Sequence, residues 1–512
     1  MKYTKEEICK DVPEFEIPGV KAEAYEDCGE GTFFRLITQI QLEGYHTYLT
    51  AVEEAGFQLQ EKHVIANGIV HTAIYRKDER ILTATFYPTM TKIWFAISKA
   101  KFDKPWTAAE LFAKIPGMDA IGIPAASYEH YGAGNYGVTA ENTTKIDYKA
   151  YLALLEQSGF VKYADNGAGL SGAVFTATYT KENLVVTVTH LLPIGRTQVS
   201  ACFDQPLSEH LLSDSDQNAD YGNEAQTSLH MLELKHFGNS FVIRLKNGHF
   251  IVSDGGFEWD AWHLLNYLEG MTGEGEKPVI EAWVISHGHR DHCGVLRAMV
   301  LEPEYVNRIC VEGIYFSAPS DKVIALDVAA RSDIAYLLDA AKLLRTTKGE
   351  ETPVYRPHTG QRYYFCDITL DILLAQEQLP YEEYSGDLND SSTWCMFTIE
   401  GQKCLLGGDG CEGGMDLILK LYERSYLMLD VFSVLHHGWN TRKDFTDYCT
   451  FKTVLHTRKG GFLPQRLEQN TYLHQVCEEW LEWEDGSKVL TFPYTAGTAQ
   501  TLPKVDWPET EE

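Results

Sequence analysis

Four potential metal ligands stand close together in Ser286-His-Gly-His-Arg-Asp-His292, directly after the apolar strand pattern of Val279–Ile285. The His-x-His spacing lets two imidazoles in a tight loop point the same way, and the Asp-His pair can then face a second ion. Imidazole nitrogens and carboxylates are the ligands that zinc and similar divalent ions take in proteins. A single histidine is usually structural, but three histidines and an aspartate at this spacing predict a metal site.

Three further segments carry aspartate or histidine beside glycine, one upstream of this loop and two downstream. They are Ile251-Val-Ser-Asp-Gly-Gly256, Leu405-Leu-Gly-Gly-Asp-Gly410 and Val434-Leu-His-His-Gly438. Together with the loop at 286–292 they follow the order of motifs in the metallo-β-lactamase superfamily, whose signature is His-x-His-x-Asp-His after a strand. Roughly residues 228 to 505 therefore resemble this superfamily.

The resemblance implies an αββα sandwich that holds one or two Zn²⁺ ions, with Mn²⁺ or Fe²⁺ as alternatives. The implied ligands are His287 and His289 on the first metal, Asp291, His292 and His436 on the second, and Asp409 as the bridge between them. Asp291 and Asp409 are also the implied catalytic carboxylates. His437 is the alternative to His436, which we favour, and Asp254 is expected to support the metal loop without binding metal.

A narrower resemblance concerns the hydrolase domain of DNA-uptake competence proteins and the bacterial phosphorylcholine esterases. It is carried by the Leu-Leu-Gly-Gly-Asp and His-His-Gly segments, by Asn389-Asp-Ser-Ser392 and by Tyr494-Thr-Ala-Gly497. The chain departs from the superfamily where a histidine normally stands about twenty residues before the Gly-Asp aspartate. Asn389 and Asp390 occupy that place, so one of them, or a water molecule, is expected as a weaker third ligand.

The predicted activity is metal-dependent hydrolysis in which a metal-bound hydroxide is the nucleophile. The narrower resemblance favours a small phosphoester or phosphodiester as the substrate. A lactone, thioester or β-lactam would use the same metals, so these substrates remain alternatives. The missing histidine keeps open a second class of function, a metal-binding pseudo-enzyme scaffold whose N-terminal region is the binding module. Trp439 is expected either to line the pocket or to pack as an ordinary aromatic, and His358 is expected to be structural.

The N-terminal region contains a tandem repeat. Residues 45–57 recur at 148–160, and the helical spacing of both copies ends at a glycine, Gly56 and Gly159, as a helix C-cap does. Strand-like alternation follows each copy, so each unit is predicted to be one helix and about three antiparallel strands. The glycine- and tyrosine-rich insert at 127–137 is predicted to be a loop. We expect the repeats to recognise a partner or to mediate homo-oligomerisation.

The expected fold class is therefore α+β, with four regions along the chain. They are a first αβββ unit at 1–125, a loop insert and second αβββ unit at 126–205, a polar and acidic linker at 206–227, and the hydrolase domain at 228–512. With this division, a truncation that begins near residue 226 tests whether the repeats confer substrate selectivity.

Charge and cysteine content limit the partners and the compartment. The formal net charge is −29, and such a surface repels a polyphosphate backbone, so a small-molecule substrate is expected and a large nucleic acid is not. No run of 18 apolar residues and no signal-peptide pattern occurs, which predicts no membrane association. The scattered cysteines form no C-x-x-C pair and are expected to be reduced thiols in the cytoplasm.

Overall fold

The fold is described from a computed structural model. The described residues are 3–29, 31–65, 68, 70–99, 104, 106–212, 225–327, 330–380, 384, 387–458 and 467–507, without the side chains of 467–470. Residues 213–224, most of the predicted linker, lie outside this set. Within it, none of the helices combines the length and apolar character that crossing a bilayer requires.

The first N-terminal unit is an antiparallel sheet with a helix packed on one face. Its elements are α1 (Lys5–Ile8), β1 (Lys21–Ala22), β2 (Glu26–Gly29), β3 (Thr32–Thr38), α2 (Leu42–Glu54), β4 (Gln58–Ile65), β5 (Val70–Lys77), β6 (Arg80–Tyr87) and β7 (Lys92–Ser98). The strand order is β1-β3-β7-β6-β5-β4, with β2 paired to β3. Because side chains alternate along a strand, β6 turns Leu82, Ala84 and Phe86 into the buried cluster beneath α2.

The second unit repeats this arrangement from its long helix onward, with two strands before that helix where the first unit has three. Its elements are α3 (Ala108–Phe112), β8 (Glu129–Gly132), β9 (Asn135–Ala140), α4 (Lys145–Gln157), β10 (Val161–Asp165), β11 (Val174–Lys181), β12 (Leu184–Leu191) and β13 (Arg196–Phe203). The strand order is β10-β11-β12-β13-β9-β8. The tandem repeat itself stays an interpretation of the sequence, and each predicted helix is followed by four antiparallel strands.

Two expectations for this region were wrong. Four strands follow each helix in the described residues, and not three. The additional strand, β4 or β10, is a largely exposed edge strand, and its polar sequence lacks the apolar-polar alternation from which strands are predicted. The insert at 127–137 is mostly a hairpin formed by β8 and β9, and not a loop. Left-handed backbone at Ala133 and Gly134 makes the tight turn between these strands, with φ of 51° and 75°.

The C-terminal half contains two further sheets and the remaining helices. In chain order the elements are β14 (Ser228–Met231), β15 (Ser240–Arg244), β16 (Phe250–Asp254), α5 (Ala261–Gly270), β17 (Val279–Ile285), α6 (Arg290–Leu301), β18 (Cys310–Val311), β19 (Ile314–Phe316), α7 (Asp321–Ile324), α8 (Ala330–Leu343), β20 (Val354–Tyr355), β21 (Arg362–Phe365), β22 (Ile368–Leu374), β23 (Trp394–Ile399), β24 (Gln402–Leu406), α9 (Glu412–Leu421), β25 (Val431–Ser433), α10 (Lys443–Tyr448), β26 (Thr453–His456), α11 (Leu467–Val476), β27 (Glu479–Glu482), β28 (Lys488–Thr491) and β29 (Gln500–Thr501).

These two sheets stack face to face, and helices cover their outer faces. One sheet has the order β20-β19-β17-β16-β15-β14-β28-β29, with β18 on β17, and the other runs from β21 through β27 in chain order. Apolar side chains from both sheets, among them Phe241, Val284 and Phe397, form the core between them. A second core packs α5, α6 and α8 onto the outer face of the first of these sheets. The predicted αββα sandwich thus describes the C-terminal half.

The segment from Asp321 to Leu344 has a sequence pattern that predicts one long helix, but the structure has two shorter helices there. Between the end of α7 at Ile324 and the start of α8 at Ala330, the described residues Ala325, Leu326 and Asp327 form a turn. Two side chains of the first N-terminal sheet, Thr85 and Tyr87, donate hydrogen bonds to the Ala325 and Leu326 carbonyls. These bonds replace the helical partners that the two carbonyls would otherwise need.

The N-terminal units and the C-terminal half share one buried core. Ile65 and Tyr87 from the first unit and Leu170 and Val174 from the second belong to the same apolar cluster as Trp394 in β23. Polar contacts also cross this interface. Arg356 is buried and donates hydrogen bonds to the Tyr131 carbonyl at 2.8 Å and to Ala318 at 2.9 Å. The N-terminal region is therefore packed into the C-terminal half and is not an independent module.

Candidate metal centre

Strand ends from both sheets of the sandwich meet at one edge, and the predicted site residues lie there. The strand β16 ends at Asp254, which is itself a predicted site residue. The parallel strand β17 ends at Ile285, just before the loop that contains His287. In the other sheet, the parallel strands β24 and β25 end just before Asp409 and His436. Ligand sites of layered α/β folds form outside the carboxyl ends of parallel strands. The topology therefore gathers residues from four separate segments.

Asp254 holds the loop between β17 and α6 through hydrogen bonds of its carboxylate. Its backbone is left-handed, with φ of 58°, and its buried carboxylate accepts hydrogen bonds from the Ser286 amide at 2.8 Å and hydroxyl at 2.9 Å. It also accepts from His292 Nδ1 at 2.8 Å. Because Nδ1 is held from behind, His292 directs Nε2 toward the opposite side, where the other acidic side chains lie.

Asp291, His292, Asp409 and His437 form a buried group in which each offers one atom within 4.8 Å of the others. His437 Nε2 lies 3.1 Å from Asp291 Oδ2 and 3.4 Å from Asp409 Oδ2. His292 Nε2 lies 3.2 Å from Asp409 Oδ1. The separations match atoms that point toward a common centre, and the residue types are those of a divalent metal site.

His287 and His289 form a pair of facing imidazoles beside this group. His287 Nε2 and His289 Nδ1 face each other at 2.9 Å. The other ring nitrogen of His289, Nε2, donates to Asp327 Oδ2 at 2.8 Å. A carboxylate behind a ligating histidine fixes its orientation and strengthens it as a ligand. Asp327 was missed in the sequence, where it appeared as one more acidic residue in an expected helix.

The structure differs from the sequence preference for His436 over His437. His437 joins the buried group because its Nδ1 is held at 3.1 Å by Thr457, the residue after β26. Both histidines have left-handed backbone, with φ of 49° and 50°, so consecutive side chains reach the same region from different directions. His436 Nε2 lies 3.6 Å from Asp409 Oδ2 and 3.4 Å from Asn389 Nδ2. His436 thus stands between Asp409 and Asn389.

Asn389 and Asp390 were expected as weaker ligands, and the structure separates them. Asn389 is buried beside His436, and its Oδ1 has no hydrogen-bond partner among the residues that the structure describes. Asp390 instead forms a group with Asp387 and Cys411. Of the two, Asn389 is the one in contact with a histidine of the centre.

Buried atoms without hydrogen bonds test whether this donor set fits a cation. His292 Nε2 and Asp409 Oδ1 are both buried and lie 3.2 Å apart as an ion pair, but neither makes a hydrogen bond within the described part of the chain. Leaving a buried polar atom without a hydrogen bond costs about 1–3 kcal/mol, and more for a charged group. A divalent cation that accepts both lone pairs removes this cost. The residues therefore fit the metal ions that the sequence motifs imply.

Electrostatics within the group are dominated by the two aspartates. Burial and the neighbouring His292 charge act on Asp409 in opposite directions, and the histidines hold its pKa well below the usual range. Burial lowers the pKa of His437, but Asp409 and Asp291 raise it to about 9. Burial also lowers the pKa of His289, but the hydrogen bond to Asp327 outweighs this effect and raises the pKa to about 9. In the metal-free protein both imidazoles are therefore protonated at neutral pH.

Zinc binding is expected to release about three protons per chain at pH 7.5, because ligating imidazoles must be neutral and the pKa values of His289, His292 and His437 are all raised above 6.5. The pKa values of His289 and His437 in the folded protein lie above 6.5, the ordinary value for histidine. Their protonation therefore stabilises the metal-free fold, and this contribution is complete below pH 6.5. That contribution is lost as the pH rises through about 9, while zinc affinity increases over the same interval. Calorimetric titration in buffers of different ionisation heat measures the protons released. A pH-independent affinity without proton release would contradict this expectation.

Other predicted residues lie around the centre or away from it. His358 is buried with Nδ1 at 2.9 Å from Glu377, which agrees with a structural role. Trp439 is 38% exposed and stacks on His436, with ring centroids 6.0 Å apart. Phe237, which the sequence did not single out, is 49% exposed and contacts the His437 ring edge-on at 5.8 Å. Two exposed aromatic side chains thus flank the two histidines.

Comparison with known proteins agrees with this geometry. A search of curated proteins found no match to the chain. Residues 235–361 match the family model of the metallo-beta-lactamase superfamily, a segment that contains Asp254 and the loop from His287 to His292. Members of this superfamily usually bind metal ions, and a metal-dependent hydrolase is the general class that the match indicates. The C-terminal half of the chain therefore contains a metallo-beta-lactamase domain.

Proposed function

We propose that this protein is a dinuclear metal-dependent hydrolase that acts on small phosphoesters, preferably phosphodiesters. The observation that carries the proposal is the buried group of Asp291, His292, Asp409 and His437, in which His292 Nε2 and Asp409 Oδ1 make no hydrogen bond within the described residues. Zn²⁺ is the favoured ion because imidazole and carboxylate donors dominate the set. The −29 charge of the chain favours a small substrate over a nucleic acid.

Two sets of ligands follow from the contacts. Asp291, His292 and His437 would hold one ion, and His287 and His289 the other, with Asp409 placed between the sets. His436 would complete the ligands of the His287–His289 ion, because it lies between Asp409 and Asn389. With His436, the His287–His289 ion would have a third imidazole ligand in place of the histidine that is absent near position 389.

Bound metal ions would supply an activated water nucleophile and polarise the scissile bond. The chain's own residues orient the site: Asp254 and Asp327 hold His292 and His289 from behind, and Thr457 does the same for His437. Asp291 is buried beside His292 and His437 and could accept a hydrogen bond that orients the nucleophile. Trp439 and Phe237 would contact the organic part of the substrate at the mouth of the site.

A substrate panel tests the function. The purified chain would be loaded with zinc or manganese and assayed on aryl phosphodiesters, phosphomonoesters, lactones, thioesters and a β-lactam. Fastest turnover of a phosphodiester would support the proposal, and faster turnover of a lactone or thioester would assign a different substrate class to the same centre. Metal binding without turnover of any compound would support the pseudo-enzyme scaffold.

Replacing His437 by alanine is expected to weaken zinc binding more than replacing His436. His437 contacts two carboxylates of the buried group, whereas His436 lies farther from Asp409. Loss of an outer contact to a metal ligand costs about 10–100-fold in affinity, so loss of either proposed direct ligand should exceed about 100-fold, with the larger loss at the more closely contacted His437. Zinc content after dialysis and competition with a chromophoric chelator measure both variants. His358→Gln is the matched control, and a larger loss for His436→Ala would reverse the assignment.

A further inference from the structure

The first N-terminal sheet contacts the turn that bears Asp327. Thr85 Oγ1 donates to the Ala325 carbonyl at 2.5 Å, and Tyr87 OH donates to the Leu326 carbonyl at 3.2 Å. All the groups in both bonds are buried. The turn is thus fixed by side chains that lie more than two hundred positions earlier in the chain.

Apolar packing holds the same turn against the same sheet. Ala325 forms a buried cluster with Ile74 of β5 and Ile81 of β6. Leu326 belongs to the buried cluster that includes Tyr87. Ile81, Thr85 and Tyr87 lie two or four positions apart, so one face of β6 provides these contacts while its other face covers α2.

Asp327 follows these two residues directly and holds a predicted metal ligand. Its carboxylate accepts from His289 Nε2 at 2.8 Å, and His289 Nδ1 faces His287 Nε2. The carboxylate's position depends on the backbone of the turn, and the turn's carbonyls are bound by the sheet. A continuous path of contacts therefore leads from Thr85 and Tyr87 to His289.

We infer that the first N-terminal unit is a structural part of the metal centre, in which Thr85 and Tyr87 are positioning residues for Asp327 and, through it, for His289. This inference rests on the proposed function, because it requires that His289 bind a metal ion. It gives the N-terminal unit a role other than partner recognition or oligomerisation. Thr85 and Tyr87 bond to the carbonyls of the turn, so the role inferred for them acts through the turn.

The test removes the two hydroxyl groups in the full-length chain and measures zinc affinity. The double variant Thr85→Val, Tyr87→Phe keeps side-chain volume and leaves both carbonyls without their donors. We expect zinc binding at the His287–His289 site to weaken about ten-fold, the lower end of the range for outer contacts of metal ligands. Asp327→Asn should weaken it by at least as much. Combining Asp327→Asn with the double variant should add little, because both changes act through one contact.

Thr83→Val is the matched control. Thr83 lies on the same face of β6, is buried, and its Oγ1 has no hydrogen-bond partner in the described residues. Melting of the metal-free proteins separates positioning from general destabilisation. Weakened zinc binding in the double variant but not in Thr83→Val supports the inference. Unchanged affinity, or additive losses with Asp327→Asn, would overturn it, whereas absence of zinc binding in the unmodified chain would overturn the proposed function as well.

Discussion

Replacing Asp409 with asparagine is expected to abolish hydrolysis and to strip the protein of at least one metal ion. Asp409 is the buried carboxylate that lies within 3.6 Å of His292, His436 and His437. Asparagine has nearly the same shape but no negative charge, so the variant cannot neutralise two closely spaced cations. A loss of about 4 kcal/mol in transition-state stabilisation corresponds to about a thousand-fold in kcat/KM. Steady-state kinetics and metal analysis of the purified variant measure the two effects.

Asp371→Asn is the control for this experiment. Asp371 is equally buried in the C-terminal half, but its carboxylate accepts hydrogen bonds from Arg362 and Tyr426 and lies outside the metal group. That variant should lose stability while retaining its zinc content. An Asp409→Asn protein with full zinc content and unreduced kcat/KM would remove Asp409 from the proposed centre.

Deleting residues 1–226 is expected to leave the C-terminal half insoluble or unfolded. Apolar residues of both N-terminal units share a buried cluster with the outer face of the β21–β27 sheet. Fully exposing a large apolar side chain costs about 1.5–3 kcal/mol, and a few such losses exceed the usual stability margin of a domain. Arg356 would also lose the Tyr131 carbonyl that it binds at 2.8 Å. The truncation therefore tests the shared core first, and it tests substrate selectivity only if the shortened chain folds.

Soluble yield, circular dichroism and the melting temperature of the truncated chain measure this effect. Co-expression of residues 1–226 as a separate fragment is the control, since it should restore a folded complex. A truncated chain that is soluble and melts at the temperature of the full-length protein would show that the shared core does not stabilise the domain.

Local sequence patterns were sufficient to predict the loop at 286–292 and the strand that precedes it. An apolar run from Val279 to Ile285 followed by His-x-His-x-Asp-His is a short-range pattern, and the structure places that loop at the end of β17. The order of the motifs along the chain also pointed to Asp254, Asp409 and the His436-His437 pair. These segments are far apart in the sequence, and the folded sandwich brings them together. The layered architecture followed from the alternation of strands and helices.

Long-range contacts decided the features that the sequence missed. Asp327 has no spacing relation to His289, and its turn exists because side chains of β6 bind the two preceding carbonyls. The choice between His436 and His437 depends on left-handed backbone and on Thr457, which stands after a different strand. Neither a periodicity nor a motif carries such information.

Anomalous diffraction at the zinc absorption edge, from crystals of the zinc-loaded full-length protein, shows whether the proposed ligands hold metal ions. We predict one peak within coordinating distance of Asp291, His292 and His437, and another beside His287 and His289, with Asp409 between them. No peak at these residues, or zinc bound only elsewhere on the protein, would contradict this prediction.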